Sequence, residues 1–202
     1  MGLDICFFSR KKINSEYADR VNELIDLQRQ FDDVNYECDE YNEKLEKYNE
    51  IKDIASAILD SIDDPEVKGE FDITVVDNGN GDELCASFSI GDYDTAREAY
   101  FRKVNFLLPF FGYGENCSYC EISYDQVEDL LNACETVLAS KNDKDAESVA
   151  ESTLPTESGF FFGSTAYDEW YYKDVEDVQS KFTNILKTFD FENRELLMHC
   201  WW

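Results

Sequence analysis

Apolar and polar positions alternate with a period that changes twice along the chain. Residues 2–9 form a short apolar run, which predicts a buried strand. Residues 14–64 contain neither glycine nor proline, and their apolar residues recur every three or four positions. This seam consists of Tyr17, Val21, Leu24, Phe31, Val34, Cys38, Tyr41, Leu45 and Tyr48. The spacing predicts either one long helix or an antiparallel helical pair with a break near residues 32–35, ended in both cases by Pro65.

After this helical region, apolar residues recur at every second position. Residues 70–76 and 84–90 alternate on either side of an Asn-Gly-rich turn at 77–82, which predicts a β-hairpin. Asp94 then suits the N-cap of a helix over 95–107 that Pro109 would end.

Two further helices are predicted, the first from an N-terminal signal and an apolar face and the last from its apolar residues. Ser123 and Gln126 have the spacing of a capping box, and an apolar helix face follows them. Residues 141–153 are polar and acidic, which predicts a loop, and a last helix is predicted over 168–187. The apolar C-terminal segment 195–202 is expected to pair beside the first strand, which would bring the two termini together.

These elements predict an α+β fold. Its small sheet would contain both termini and would be covered by amphipathic helices. The predicted α+β core comprises residues 1–12 and 91–202. Residues 13–90 are predicted to form an insertion, consisting of a helical arm at 14–64 and the β-hairpin at 70–90.

Composition narrows the possible partners. The 202 residues include 45 Asp and Glu against 18 Lys and Arg, for a formal net charge of −27. This charge opposes direct binding of nucleic acid or of anionic membranes. No apolar run approaches the roughly 20 residues that a membrane span needs, and the first residues do not resemble a signal peptide. Seven cysteines, an odd number, are expected to be reduced thiols in the cytoplasm. Four of them have apolar neighbours and are expected to be core side chains: Cys38, Cys85, Cys134 and Cys200.

The acidic residues of the helical arm are the main candidates for a functional surface. The ordinary interpretation of such a charge run is a solvated helix face. The alternatives are a docking surface for a protein with a basic surface, or an imitation of DNA. The candidate partner-binding residues are Asp32, Asp33, Glu37, Asp39, Glu40, Glu43, Glu46 and Glu50.

The sequence gives weaker evidence for the other candidate sites. The helix predicted at 95–107 carries three candidate anion-binding residues: Arg97, Arg102 and Lys103. No metal site is predicted, because the one possible zinc set combines a C-x-x-C pair with the single histidine and its neighbour. That set consists of Cys117, Cys120, His199 and Cys200. No catalytic spacing and no cofactor motif is present, so the sequence does not predict an enzyme.

Four short segments resemble a group of small proteins from phages and prophages. They are Met1-Gly2-Leu3-Asp4, residues 100–105 (Tyr-Phe-Arg-Lys-Val-Asn), residues 154–164 (Leu-Pro-Thr-Glu-Ser-Gly-Phe-Phe-Phe-Gly-Ser) and residues 167–169 (Tyr-Asp-Glu). The resemblance covers roughly residues 1–10 and 95–202. It implies a mobile-element origin and an α+β core, but no activity.

The resemblance and the charge together lead to a functional hypothesis. They predict an acidic accessory protein of a phage or prophage, located in the host cytoplasm. It would bind and inhibit a nucleic-acid-binding host defence protein, in the manner of an anti-CRISPR protein, with imitation of DNA as one way of doing so. The alternatives are a protein that sequesters a small anionic signalling molecule, a hydrolase that uses carboxylates and a metal, and an assembly protein.

Overall fold

The structure is a computed structural model that describes residues 2–13, 15–38, 40–77, 84–113, 116–117 and 119–202. Its helices and strands are, in chain order, β1 (Asp4–Lys11), α1 (Ala18–Glu37), α2 (Tyr41–Asp60), α3 (Pro65–Gly69), β2 (Asp72–Asp77), β3 (Leu84–Ser89), β4 (Ala96–Arg102), α4 (Leu107–Phe111), β5 (Tyr119–Ile122), α5 (Tyr124–Ser140), α6 (Ala146–Thr153), α7 (Glu169–Thr188) and β6 (Arg194–Trp201). A 3₁₀ turn spans Gly91–Tyr93.

The chain divides into two compact units. Residues Met1–Arg10 and Thr95–Trp202 form one, here called the sheet unit, and Lys11–Asp94 form the other, the arm unit. In the sheet unit four antiparallel strands lie in the order β4-β1-β6-β5. The prediction of an α+β fold is therefore confirmed, and so is the placement of the first and last strands side by side.

Helices α5 and α7 pack on one another and bury the apolar face of the sheet. Both begin as predicted, because Ser123 and Gln126 form a complete capping box and the Asp168 carboxylate accepts hydrogen bonds from the first N–H groups of α7. At the centre of this core lies the fully buried ring of Phe182. Its centroid is 4.8 Å from that of Phe7 and 6.0 Å from that of Phe101.

The arm unit is built on an antiparallel helical pair that packs on a β-hairpin. Helix α1 ends at Glu37 and α2 begins at Tyr41, so the predicted break at 32–35 lies inside α1 instead. Strands β2 and β3 pair as predicted, with Val75 opposite Ala86. Most of the predicted turn, residues 78–82, lies outside the described residues.

The prediction of a helix over 95–107 is wrong, because residues 96–102 form strand β4. Here Ala99 and Phe101 are buried while their neighbours in the strand are exposed, which is a period of two. This strand pairs with β1, with Asp4 opposite Arg102, and the pairing supplies hydrogen-bond partners for its backbone N–H and C=O groups. Pro109 lies inside the short helix α4, where a first-turn proline loses no hydrogen bond.

Three smaller predictions also fail. The loop expected at 141–153 contains α6, whose buried position is the small residue Ala150, so its apolar face was too slight to recognise. Pro65 begins the short helix α3 and lies after the end of α2. Cys85 is exposed, whereas Cys38, Cys134 and Cys200 are buried as their apolar neighbours suggest.

Replacing Phe182 by alanine is expected to lower the free energy of unfolding by about 3–5 kcal/mol, because it leaves a cavity among the rings of Phe7, Phe101 and Phe111. Urea denaturation monitored by circular dichroism measures this. The matched control is Phe160→Ala, since Phe160 is 95% exposed and its loss should change stability by about 0.5 kcal/mol or less. Equal effects of the two substitutions would contradict the described core.

Candidate protein-docking groove

A groove of about 400 Å³ runs along the outside of the α1–α2 pair. From α1 it is lined by Leu27, Gln30, Asp33, Val34 and Glu37, and from α2 by Lys47, Glu50, Ile51 and Ile54. These positions recur every three or four residues on each helix, so they form one continuous stripe per helix. We refer to the space between the two stripes as the groove.

The groove has an apolar floor. Leu27, Val34 and Ile51 are each less than 10% exposed, so they are held in place by the interior of the arm unit. Ile54 differs, because 42% of its surface is open to solvent. An exposed aliphatic side chain beside a concave apolar floor is typical of a surface that buries an apolar group of a partner.

The rim of the groove is acidic. Asp33, Glu37 and Glu50 outnumber the one basic residue, Lys47, whose Nζ lies 3.7 Å from an oxygen of Glu37. The pKa of Lys47 is raised, first by its hydrogen bond to the sulfur of Cys38 and then by the neighbouring carboxylates. Lys47 therefore stays charged and offsets only part of the rim, which leaves the groove a net negative charge.

Three of the eight acidic residues predicted to bind a partner thus lie on the groove: Asp33, Glu37 and Glu50. Asp32 accepts a hydrogen bond from Gln28 and lies outside it. The other predicted acidic residues that the structure describes, Glu40, Glu43 and Glu46, are exposed and do not line the groove. Asp39 lies outside the described residues.

The floor of the groove was missed from the sequence, apart from Val34. Leu27 and Val34 are seven residues apart, and Ile51 and Ile54 are three apart. These intervals mark a second apolar stripe beside the predicted seam through Phe31.

The predicted anion-binding residues are not gathered into one site. Arg97 belongs to β4, and its guanidinium lies over the ring of Tyr100, 5.7 Å from the centroid. Arg102 and Lys103 meet instead beside Gly2, where an added Cβ would lie 3.3 Å from the Arg102 guanidinium and 3.2 Å from the Lys103 side chain. Residues 96–102 form a strand, so the three cations are not spaced as they would be on the predicted helix.

The candidate zinc ligands are separated by the sheet. Strands β5 and β6 pair with Tyr119 opposite His199 and Cys120 opposite Met198. Because side chains alternate along a strand, His199 and Cys200 point to opposite faces and cannot bind one ion together. Within the ranges that the structure describes, no group of three or more potential ligands could hold a metal ion.

One comparison with known proteins bears on function. The model of the Swi5 family matches residues 9–68, which is less than a third of the chain and contains the whole groove. Swi5 is a non-catalytic family of DNA recombination mediators whose members act in protein complexes. No curated protein and no solved structure matches the chain.

This match corrects the functional hypothesis drawn from the sequence. Similarity to a recombination and repair family contradicts the predicted phage anti-defence inhibitor, including its anti-CRISPR and DNA-mimic forms. A host defence partner has no support, whereas a protein partner and a non-catalytic role agree with the family in general terms. In the described part of the chain, no helix is both long enough and apolar enough to cross a membrane.

Two substitutions distinguish the floor of the groove from its open edge. Ile51→Gln should lower the free energy of unfolding by about 2–4 kcal/mol, because it places an amide in the interior. Ile54→Gln should change it by about 0.5 kcal/mol or less, because Ile54 is already half in water. Urea denaturation measures both, and a large loss for Ile54→Gln would show that this residue is part of the fold.

The single histidine provides a second test. Burial lowers the pKa of His199, and its Nδ1 atom is buried without a hydrogen-bond partner. The imidazole should therefore titrate below 6.5 in an NMR experiment. A lowered pKa means that stability is present above pH 6.5 and is lost as the pH falls through the folded-state value. Equimolar Zn²⁺ should leave the resonance in place, and a shifted resonance would restore the metal site.

Proposed function

We propose that this protein is a non-catalytic binding component of DNA recombination or repair. In this proposal the α1–α2 pair receives a basic amphipathic helix of a partner protein. The observation that carries the proposal is that the groove, with its apolar floor and acidic rim, lies entirely inside the segment that is similar to the Swi5 family. The proposed location is a reducing compartment, the cytoplasm, because the seven cysteines are free.

The chemistry of the groove defines its occupant. A helix that docks in an apolar groove inserts side chains spaced three, four and seven residues apart. Ile54, Ile51 and Leu27 supply the apolar contact surface for such side chains. Lysine or arginine residues flanking the inserted stripe would meet the acidic rim, which favours a basic helix over an acidic one. In this proposal the partner contacts DNA directly, because the net charge of −27 opposes DNA binding by this protein itself.

The partner can be identified by a photo-crosslinker placed at Ile54 in the source cells. The control carries the same crosslinker at Tyr36, which lies on α1, is 89% exposed and does not line the groove. The proposal expects a protein crosslinked from position 54 but not from position 36, through a segment rich in Lys and Arg. Crosslinks only to a second copy of this chain would contradict it.

Removing the rim charges should weaken binding of the identified partner. The double variant Glu37→Gln, Glu50→Gln is expected to lower affinity about tenfold at low salt and to flatten the dependence of affinity on salt. Calorimetric titration with the purified partner measures both effects.

The matched control is Glu43→Gln, Glu46→Gln, which removes the same charge from exposed positions of α2 outside the groove. This control should retain most of the affinity. Equal losses in the two double variants would mean that the overall charge of the arm unit, and not the groove, attracts the partner.

A further inference from the structure

The sheet unit contains a second concavity, which is smaller and chemically different. It encloses about 180 Å³ and is lined by Lys103, Asn105, Phe106, Thr156, Gly163, Ser164, Ala166, Asp168, Trp170, Tyr171 and Asp174. Three separate segments form it: the end of β4 with the turn after it, the loop 155–167, and the first turns of α7. We call it the loop pocket. Segments 100–105, 154–164 and 167–169, singled out in the sequence, all contribute to it.

Hydrogen bonds hold the walls of the loop pocket in place. The buried Asn105 amide donates to the carbonyl oxygens of Phe162, at 3.3 Å, and Ser164, at 2.9 Å. The Thr156 hydroxyl donates to the carbonyl oxygen of Thr165, at 3.1 Å. The loop is thereby closed on itself and fixed to the turn after β4. A site held this way loses little entropy when a ligand binds.

The polar groups of the loop pocket are mainly acceptors. The Thr156 hydroxyl has donated its proton elsewhere, so its lone pairs remain available. Asp168 Oδ1 accepts from N–H groups of α7 and Oδ2 remains. The ring of Trp170 is 71% exposed, and it already attracts a cation, since the ammonium of Lys173 lies 4.4 Å from its centroid.

Asp174 is the acceptor that no other group in the described ranges engages. It lies four residues after Trp170 on α7, so the two share one side of the helix. Neither a hydrogen bond nor an ion pair reaches its carboxylate from the described residues, including the pocket's one cation, Lys103. Burial, with smaller contributions from Asp177 and Asp168, raises the pKa of Asp174 to about 6.

We propose that the loop pocket binds a small primary amine whose ammonium group is held by Asp174 and Thr156, beside the ring of Trp170. An ammonium group carries three donors and one positive charge, which match these acceptors. The volume excludes larger classes of ligand, because pockets for drug-sized molecules hold about 300–1,000 Å³. A nucleotide would not fit, whereas a short alkylamine would.

Putrescine is a suitable probe, and 1,4-butanediol is its uncharged analogue of equal length. Titration of the full chain, followed by NMR shifts of the Trp170 indole and by calorimetry, should show saturable binding of putrescine and none of the diol. Asp174→Asn keeps the shape but removes the charge, so it should weaken putrescine binding about tenfold or more. Equal responses to the two compounds would overturn the proposal.

Two controls separate the site from folding and from general charge. Asp177→Asn makes the same chemical change three residues later, where the carboxylate pairs with Lys181 outside the pocket, and it should bind putrescine like the wild type. The midpoint of thermal unfolding at pH 7 should be unchanged or higher for Asp174→Asn, since an unpaired, partly desolvated charge is removed. Unaltered putrescine binding by Asp174→Asn, or equal weakening by both variants, would overturn the assignment.

Discussion

The packing of Phe31 against Tyr48 determines the form of the arm unit. Their ring centroids are 4.4 Å apart, and Phe31 also meets the edge of Phe88 on β3. This contact joins α1, α2 and the β-hairpin, and it places the large rings in the interior. The smaller side chains Leu27 and Ile51 are left at the outer side of the helical pair, where they form the floor of the groove. An open apolar groove therefore results from how the interior is filled.

The distribution of charge explains why the arm unit does not resemble DNA. Helices α1 and α2 carry eleven acidic and five basic residues, and each extends about 30 Å at 1.5 Å per residue. Taken as a pair, they present a net charge roughly every 5 Å, whereas duplex DNA presents one every 1.7 Å or so. Lys47 and the apolar floor residues also interrupt the row of acidic residues along the helices. It suits the rim of a protein-docking groove better than a copy of a phosphate backbone.

Local signals made much of the fold predictable. The Ser123 capping box and the alternating strands of the β-hairpin depend on residues close together in the sequence, and these predictions were confirmed. Residues 96–102 were different, since their conformation depends on pairing with β1, which lies some ninety residues earlier. Apolar residues there fit either period, and only the tertiary partner decides between them.

The candidate site was predictable only in its charged part. Asp33, Glu37 and Glu50 are conspicuous in the sequence, but so are acidic residues that lie elsewhere on the helices. What distinguishes the three is the apolar floor between them, which forms only when two helices are side by side. Likewise, the walls of the loop pocket come from two parts of the chain about fifty residues apart, residues 103–106 and 156–174, and no local pattern in the sequence predicts that they meet.

The groove and the loop pocket use electrostatics over different ranges, so salt should affect them differently. Rim charges act on an approaching partner through water, and at 1 M salt the screening length falls to about 3 Å. The groove would then depend on its apolar floor alone. Asp174 acts at hydrogen-bond distance in a partly desolvated pocket, where salt screens much less. Putrescine binding in the loop pocket should therefore weaken less with added salt than the contribution of the rim to partner binding.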